Sequence, residues 1–594
     1  MRWLRGPALR YAAAVETTTP EDPQAAPDAQ RRRRRAASRG RHPAPALVAE
    51  VGALLGLADG EAPRRDRLIE YLHAINDRLR CLPAPHLAAL AQLMKLSQAE
   101  VYEVASFYHH FEVVKEAADG SLPAAPALTV RVCDGLPCAM AGAKDLLAKL
   151  PSLLGREVRV LAAPCVGRCE TAPVAVVHQH TLRSATAAAV QAAVAGGLRH
   201  DEPPAALGYD DYRAGGGYAL LRECVEGRRS ADDVIAALEQ AGLRGLGGAG
   251  FPAGRKWRIV RGQPAPRLMA VNIDEGEPGT FKDRWYLERD PHRFLEGLLI
   301  AAWAVGIAGI WLYLRDEYHG HRALLARELA RLRADPPWPG MPAIELRRGA
   351  GAYVCGEESA MIESIEGKRG WPRLRPPYVA EVGLFGRPTL EHNYETLHWV
   401  REILERGADW FAAQGRHGRK GLRSFSVSGR VREPGVKLAP AGITLRELVD
   451  EFCGGMLPGH ELYAYLPGGA SGGILPAAQA DLPLDFDTLQ AHGCFIGSAA
   501  VIVLSQHDRA ADAARNTMHF FAHESCGQCT PCRNGTAKAA ALLDAPRWDL
   551  PLLADLSQVM RDASICGLGQ AAPNVMDGVI EHFRHEIDGG EGAP

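Results

Sequence analysis

The 594-residue chain carries little net charge, formally −2 at neutral pH. That removes the broad electrostatic field that general nucleic-acid or membrane-surface binding requires. Like charge is concentrated in Arg31–Arg35, inside an Ala/Pro/Arg-rich stretch. It reads as a solvated, disordered tail over residues 1–45 rather than a twin-arginine export signal, because the apolar stretch from Ala46 is broken by Glu50. No tandem repeat is present, which excludes solenoid architectures. The apolar run Gly297–Leu314 reaches the 18-residue threshold of a spanning helix. Gly306 and Gly309 divide it instead into a buried helix and a strand, GIWLYLRDEY, an order that belongs to an α/β sheet covered on both faces. No membrane span is expected.

Cysteine is present in number, 13 residues, and its spacing carries the most information. Cys526, Cys529 and Cys532 form C-x2-C-x2-C, and Cys566 follows in SICGLG. One loop can wrap three corners of a cube while a remote segment closes the fourth, so the spacing points to a [4Fe–4S] cluster. Structural zinc is the alternative, but it favours two separated pairs. Cys133 and Cys138 (C-x4-C) with Cys165 and Cys169 (C-x3-C) form a second set. Each pair follows an apolar run, LTVRV or VRVLAA, so the ligands sit on loops at strand ends where they can converge on a [2Fe–2S] centre, again with zinc as the rival. Cys81, Cys224, Cys355, Cys453 and Cys494 are scattered and read as buried thiols. Free thiols and thiolate-held clusters both suit a reducing, cytoplasmic compartment.

The pattern along the chain is α/β and multidomain. Residues 60–118 carry helical periodicity (Leu68, Ile69, Leu72, Ile75), with Ser97 and Glu100 placed for a capping box. Residues 125–200 hold the binuclear thiols on strands around the helix AGAKDLLAKL, and a polar linker runs from His200 to Ala214. Residues 215–423 alternate strands, helices and Gly-rich loops; 424–505 are short strands with Gly/Pro turns; 508–594 are helical and carry the cubane thiols.

Three loops in the central region carry ligand chemistry. Gly245–Gly254 (GLGGAGFPAG), followed by Lys256, lets backbone N–H groups approach phosphate oxygens, although a tight helix–strand connection has the same composition. It is not read as the dinucleotide fingerprint. Val271–Asp283 (VNIDEGEPGTFKD) offers Asn272, Asp274 and Glu277 after an apolar strand. Gly351–Ser359 (GAYVCGEES) offers Tyr353, Gly356, Glu357 and Glu358. Acidic clusters often bind metal or face water, but no histidine accompanies these at ligand spacing. Gly-flanked loops after apolar strands are where open α/β sheets bind ligands.

GGAGFPxGxKW, NxDEGEPGTFKD, GAYxCGEES, EGKRGxPRxxPP and ESCGxCxPC, as they stand here, resemble the flavoprotein subunit of NADH-oxidising complexes, the 51-kDa type of respiratory complex I and its relatives. Residues from about 60 to 200 resemble its 24-kDa thioredoxin-like [2Fe–2S] partner, fused on the same chain. Such fusions include the diaphorase subunit of NAD-reducing hydrogenases and the beta subunit of NAD-dependent molybdenum or tungsten formate dehydrogenases. The stretches RLMAVNIDEGEPGTFKDRWYLERDPHRFLEG, GRVREPGVKLAPAGIT and AYLPGGASGGILP are most similar to the last.

The resemblance implies a thioredoxin-like [2Fe–2S] domain, a Rossmann-like FMN/NAD domain, a ubiquitin-like domain of docking or spacer type at 424–505 and a helical [4Fe–4S] domain. Gly245, Gly247, Gly248, Ala249, Gly250, Gly254 and Lys256 would bind NAD and the FMN phosphate. Asn272, Asp274, Glu277, Tyr353, Gly356, Glu357 and Glu358 would meet the flavin, with Phe251 and Tyr378 beside the nicotinamide nucleotide. His392, Asn393 and Thr396 would meet the flavin phosphate and ribityl chain. Leu246, Tyr378 and His392 depart from the commoner arginine, phenylalanine and asparagine, the histidine bearing most on the phosphate end. The implied partner is a molybdenum- or tungsten-bis-pterin formate dehydrogenase alpha subunit with its own iron–sulfur clusters, delivering electrons through this chain to NAD+. The hydrogenase diaphorase and complex I readings follow, and a relay or zinc-stabilised scaffold with a dead flavin site is the reading from another class.

Overall fold

The computed structural model describes residues 40–58 and 61–587. The Arg31–Arg35 tail lies outside the described residues. A helix begins at Pro45 and runs to Leu54, so Ala46 and Glu50 share one regular element.

Four buried residues, Leu68, Ile69, Leu72 and Ile75, form the inner face of helix Leu68–Leu79, which packs with helices Ala84–Met94 and Gln98–Phe107. Ser97 caps the last of these through the Glu100 N–H at 3.1 Å. Glu100 does not return the bond: its carboxylate accepts from Arg65 at 3.0 Å, so only half of the expected box forms. This segment is seated on the central domain, where the Tyr108 hydroxyl reaches Ser364 Oγ and the Lys368 carbonyl, each at 2.8 Å.

Strands Leu128–Cys133 and Val158–Ala163 pair in parallel, joined through helix Ala143–Leu154, and the hairpin Ala175–Val177 and His180–Leu182 completes a sheet of thioredoxin-like order. The stretch expected to be a loose linker is fastened down. Asp201 accepts from Thr181 N and Oγ1 at 2.8 and 2.7 Å, and residues Tyr209–Ala214 form a helix with both tyrosines buried. Tyr212 donates to the buried Glu296 at 2.6 Å, a partner that local sequence cannot reveal.

The central sheet is wholly parallel, in the spatial order Thr389–Asn393, Arg267–Ile273, Ile307–Leu314, Ala343–Arg348. Gly306 splits the apolar run as expected: helix Pro291–Val305 ends there at φ +74° and strand Ile307–Leu314 begins. The strand stops four residues short of Tyr318, because Arg315 and Asp316 turn into buried polar contacts. Among the described residues no helix is long and apolar enough to cross a membrane. Gly297 sits where helix Pro291–Val305 crosses helix Tyr394–Arg406, and a methyl there would overlap the Leu397 carbonyl oxygen.

Residues 422–505 form a mixed five-stranded sheet, Leu422–Gly429 pairing antiparallel with Gly435–Pro440 and parallel with Ala500–Ser505, which continues to Leu462–Leu466 and Leu475–Pro476. That order is a β-grasp. Helices Ala510–Glu524, Thr530–Leu543, Leu550–Ala563 and Asn574–His582 complete the chain.

Two cavities between two thiol clusters

The chain order of the central sheet runs outward from Arg267–Ile273 through Ile307–Leu314 to Ala343–Arg348, then returns to the opposite side with Thr389–Asn393. The reversal opens a crevice at the carboxyl ends of the strands, the ligand position of open α/β sheets. Asn272 and Asn393 are register partners at the tips of the two strands that flank it. The loops after Arg267–Ile273 and Ala343–Arg348 therefore arrive at one place by topology, and the glycine loop joins them there.

Two adjoining cavities occupy the crevice. The smaller, about 280 Å³, is walled by Gly247, Gly248, Asn272, Asp274, Glu277 and Tyr353. The larger, about 590 Å³, is walled by Gly245, Ala249, Phe251, Lys256, Glu358, Tyr378 and His392. Gly247, Asn272, Gly356, Glu357 and Asn393 border both. Phe251 and Tyr378 remain 38 % and 55 % exposed at the cavity, with the Arg255 guanidinium over the Phe251 ring, so each ring offers apolar surface to a planar ligand. Gly250, Gly254 and Thr396 line neither cavity. A methyl on Gly250 would meet the Phe486 ring, one on Gly254 would meet helix Ala231–Ala241, and Thr396 Oγ1 accepts from Leu246 N at 2.9 Å. They hold the glycine loop from behind.

The letters G-x-G-x-x-G do occur at Gly245–Gly250, but the loop follows helix Ala231–Ala241 rather than a strand, so it is not the dinucleotide fingerprint in structure. It closes on itself through Gly245 N to Phe251 O at 2.8 Å and feeds helix Ala253–Arg261, leaving its backbone turned to the cavities.

Polar side chains in the walls are held individually. Asn272 donates to Gly356 O and accepts from Asp274 N, both at 2.8 Å. Glu277 accepts from the Tyr353 hydroxyl and from Ser471 N and Oγ at 2.7 and 2.9 Å. Burial pushes the Asp274 carboxyl up to about 8, with Arg315 opposing, so at neutral pH it carries a proton and can donate. Lys256 lines the larger cavity but is already engaged: Nζ donates to Glu391 O at 3.0 Å and pairs with its carboxylate at 3.2 Å. The Trp257 indole donates to His392 Nε2 at 2.7 Å. An indole N–H can only donate, so Nε2 is the acceptor and the proton sits on Nδ1. Burial, with Lys256 adding to it, holds this imidazole well below its usual range and keeps it neutral. The histidine thus supplies one fixed donor to the cavity rim where asparagine is commoner.

Sequence reading missed the far wall. Gly468, Ser471, Phe495, Gly497 and Ser498 come from the β-grasp region, so that region completes the smaller cavity and is not a spacer. Lys282 was also missed, because a lysine beside an aspartate reads as a surface pair, yet it is buried with Asp283 and Glu395 at 2.7 and 2.9 Å.

The thiols converge as their spacing implied. Cys133, Cys138, Cys165 and Cys169 are all buried, with Cys165 and Cys169 sulfurs 3.3 Å apart. Hydrogen bonds from Cys133 and Cys169 hold Cys165 well below the ordinary thiol range, and Arg315 adds to it. Hydrogen bonds among the sulfurs push Cys133 and Cys169 upward, so it is the gathering of four buried sulfurs, not their charge, that fits a binuclear iron–sulfur centre. Cys526 and Cys529 lie in the loop before helix Thr530–Leu543, Cys532 in its first turn, and Cys566 just ahead of helix Gly567–Ala571. A methyl on Gly569 would lie 2.8 Å from Cys532 Cβ, which shows how closely the remote segment closes on the loop. That donor set fits a cubane. The remaining five cysteines are buried and free, as expected.

Both thiol sets lie behind the wall of the smaller cavity, each reached through intervening residues. Gly567, Leu568 and Ala571 line it directly after Cys566. On the other side, Arg315 donates to both Glu275 O and Cys165 O, the latter at 2.5 Å, and Glu275 lines the cavity.

Comparison with known proteins agrees with this arrangement. Residues 57–196 match the thioredoxin-like [2Fe–2S] ferredoxin family, 238–402 the Nuo51 FMN-binding domain and 512–589 the NADH-ubiquinone oxidoreductase-F iron–sulfur binding region. An NADH-quinone oxidoreductase subunit from Rhizobium meliloti is 40% identical over 408 residues, 66% of this chain and 96% of the relative. The mitochondrial NADH-ubiquinone oxidoreductase 51 kDa subunit of Neurospora crassa is 40% identical over 378 residues, 60% of this chain and 76% of the relative. A crystal structure of an NAD+-reducing [NiFe]-hydrogenase in the H2-reduced state superposes with a TM-score of 0.76 at 32% identity, covering 89% of this chain and 94% of the other. The chain therefore belongs to the 51-kDa flavoprotein family of NADH dehydrogenases, an oxidoreductase component with FMN, [2Fe–2S] and [4Fe–4S] sites, and carries its 24-kDa-type module on the same polypeptide.

Proposed function

We propose that this chain exchanges electrons between NAD(H) in the larger cavity and a partner enzyme reached through the Cys526/Cys529/Cys532/Cys566 centre, with formate oxidation on that partner as the source. The observation that carries the exchange is the shared wall: the residues next to Cys566 are themselves lining of the smaller cavity. FMN, when bound, supplies the chemistry that converts hydride transfer into single-electron steps. The chain's own residues bind, orient and enclose. Phe251 and Tyr378 would sandwich the nicotinamide nucleotide, the Gly245–Gly250 backbone and His392 Nδ1–H would donate to phosphate, and Asn272, Glu277 and Tyr353 would fix the ring. No side chain acts as acid or base on the hydride.

Formate as the source rests on the sequence stretches most similar to formate dehydrogenase beta subunits. The hydrogenase reading is favoured by the fused architecture that a hydrogenase chain shares over 94% of its length. Metal analysis of the assembly that co-purifies with the chain separates them: molybdenum or tungsten supports formate, and nickel supports hydrogenase. For the activity itself, NADH added without oxygen is expected to bleach the flavin absorbance and drive dye reduction; absence of both rejects it.

A pH dependence follows from Asp274. Its carboxyl titrates at about 8 in the fold, against about 4 for an ordinary aspartate. The folded state therefore holds an extra proton between those values, and that donor is lost as pH rises through 8. Flavin affinity is expected to be level below pH 8 and to fall about tenfold per unit above it. Equilibrium dialysis of the holo chain measures this, and Asp274→Asn is expected to flatten the profile.

A further inference from the structure

His109 and His110 follow helix Gln98–Phe107 and meet different neighbours, His523 and His73 respectively. His110 pairs with Asp316 at 2.9 Å beside His73, a trio compact enough for an ion. Arg348 and Arg322 already hold that carboxylate, at 2.6 and 3.4 Å, so no net negative charge is left for a cation. His109 meets different surroundings at the end of helix Ala510–Glu524. Its ring stacks on His523 with centroids 4.0 Å apart and 28° between planes. His523 Nδ1 lies 3.2 Å from Glu524 Oε1, and one ligand atom from each of the three residues falls within 4.8 Å of the others. Both imidazoles are exposed, while Glu524 is buried and anchored by Tyr353 N on its second oxygen at 2.9 Å. Among the described residues no arginine or lysine pairs with Glu524, and Asp134 adds a further negative charge near His523.

We propose that His109, His523 and Glu524 form a site for a divalent transition metal of the zinc class, clamping the N-terminal helical segment to the C-terminal helices. Two imidazole nitrogens and one carboxylate oxygen are the donor set of Zn2+, whereas Mg2+ and Ca2+ prefer oxygen alone. The exposed side leaves a coordination position for water. The buried carboxylate is pre-oriented by its bond to Tyr353, so binding need only turn two surface rings. The site shares no ligand with either thiol set.

The test uses the holo chain, purified without oxygen, briefly treated with chelator, desalted and titrated with Zn2+ against a chromogenic indicator while iron content is followed. One zinc per chain is expected. Binding is expected to weaken about tenfold or more in His109→Ala and in His523→Ala. His109→Cys, which restores a zinc ligand, is expected to recover it. His519→Ala serves as control, since His519 lies on the same helix, exposed and paired with Asp544 at 2.9 Å. No zinc binding by the unaltered chain, full binding by the His109→Ala/His523→Ala double variant, an equal loss in His519→Ala, or zinc uptake matched by iron loss would each overturn the site.

Discussion

Replacing Lys282 with methionine is expected to lower the unfolding free energy of the central domain by about 3–5 kcal/mol and to yield a chain without flavin. The Lys282 side chain is 1% exposed, with Nζ at 2.7 Å from Asp283, 2.9 Å from Glu395 and 3.3 Å from Asn393 Oδ1. Burial alone would drive the ammonium toward neutrality, but the charges of Asp283, Glu395 and Glu275 outweigh it and raise its pKa. Methionine fills the space and removes the positive charge that Asp283 and Glu395 share at bonding distance. Burial pushes Asp283 upward even with the ammonium beside it, so without it the carboxyl takes up a proton. Asn393 then loses the ammonium that donates to its Oδ1, and its Nδ2, which donates to Asp283 Oδ2 at 2.6 Å, is left with a neutral and weaker acceptor; Asn393 borders both cavities. Thermal unfolding and flavin absorbance measure the two effects. The double variant Lys282→Met/Asp283→Asn is expected to regain part of the stability, because it removes a charge as well as its partner. A single variant with unchanged unfolding and full flavin would refute the role given to this lysine.

The thiol ligands were legible because their information is local. Three of the cubane ligands sit within seven residues, and each binuclear pair follows a strand whose apolar pattern marks its end. The split at Gly306 was legible for the same reason, since a left-handed residue at a helix end leaves a glycine in the sequence. What could not be read is which distant surface closes the site. Ser471 reaches Glu277 across 194 residues, and Glu391 takes Lys256 across 135, with no periodicity to announce either contact. Tyr209 and Tyr212 in a polar stretch looked like linker because the acids they face, Glu328 and Glu296, lie far along the chain. Local pattern fixes the element; tertiary packing decides which polar side chains are buried with partners.

Gly468→Ala is expected to strip flavin while leaving iron and sulfide at their full complement. A methyl at Gly468 would overlap the Phe495 carbonyl oxygen and lie 2.9 Å from Ile496 C, both backbone atoms that cannot swing aside. The loop is equally tight on its other flank, where Gly469 adopts φ +73° and its N–H donates to Ala500 O at 2.7 Å. Overpacking at such a site costs about 1–3 kcal/mol, so the fold survives and the loop moves. Ser471 moves with it, and with Ser471 go two of the three hydrogen bonds that hold Glu277 in the cavity wall. The ligating cysteines stand on other loops, so cluster content is the internal control. Flavin and iron per chain on desalted protein give the answer. One flavin retained per chain would return the β-grasp sheet to a docking role, and loss of iron in step with flavin would show a collapse rather than a displaced wall.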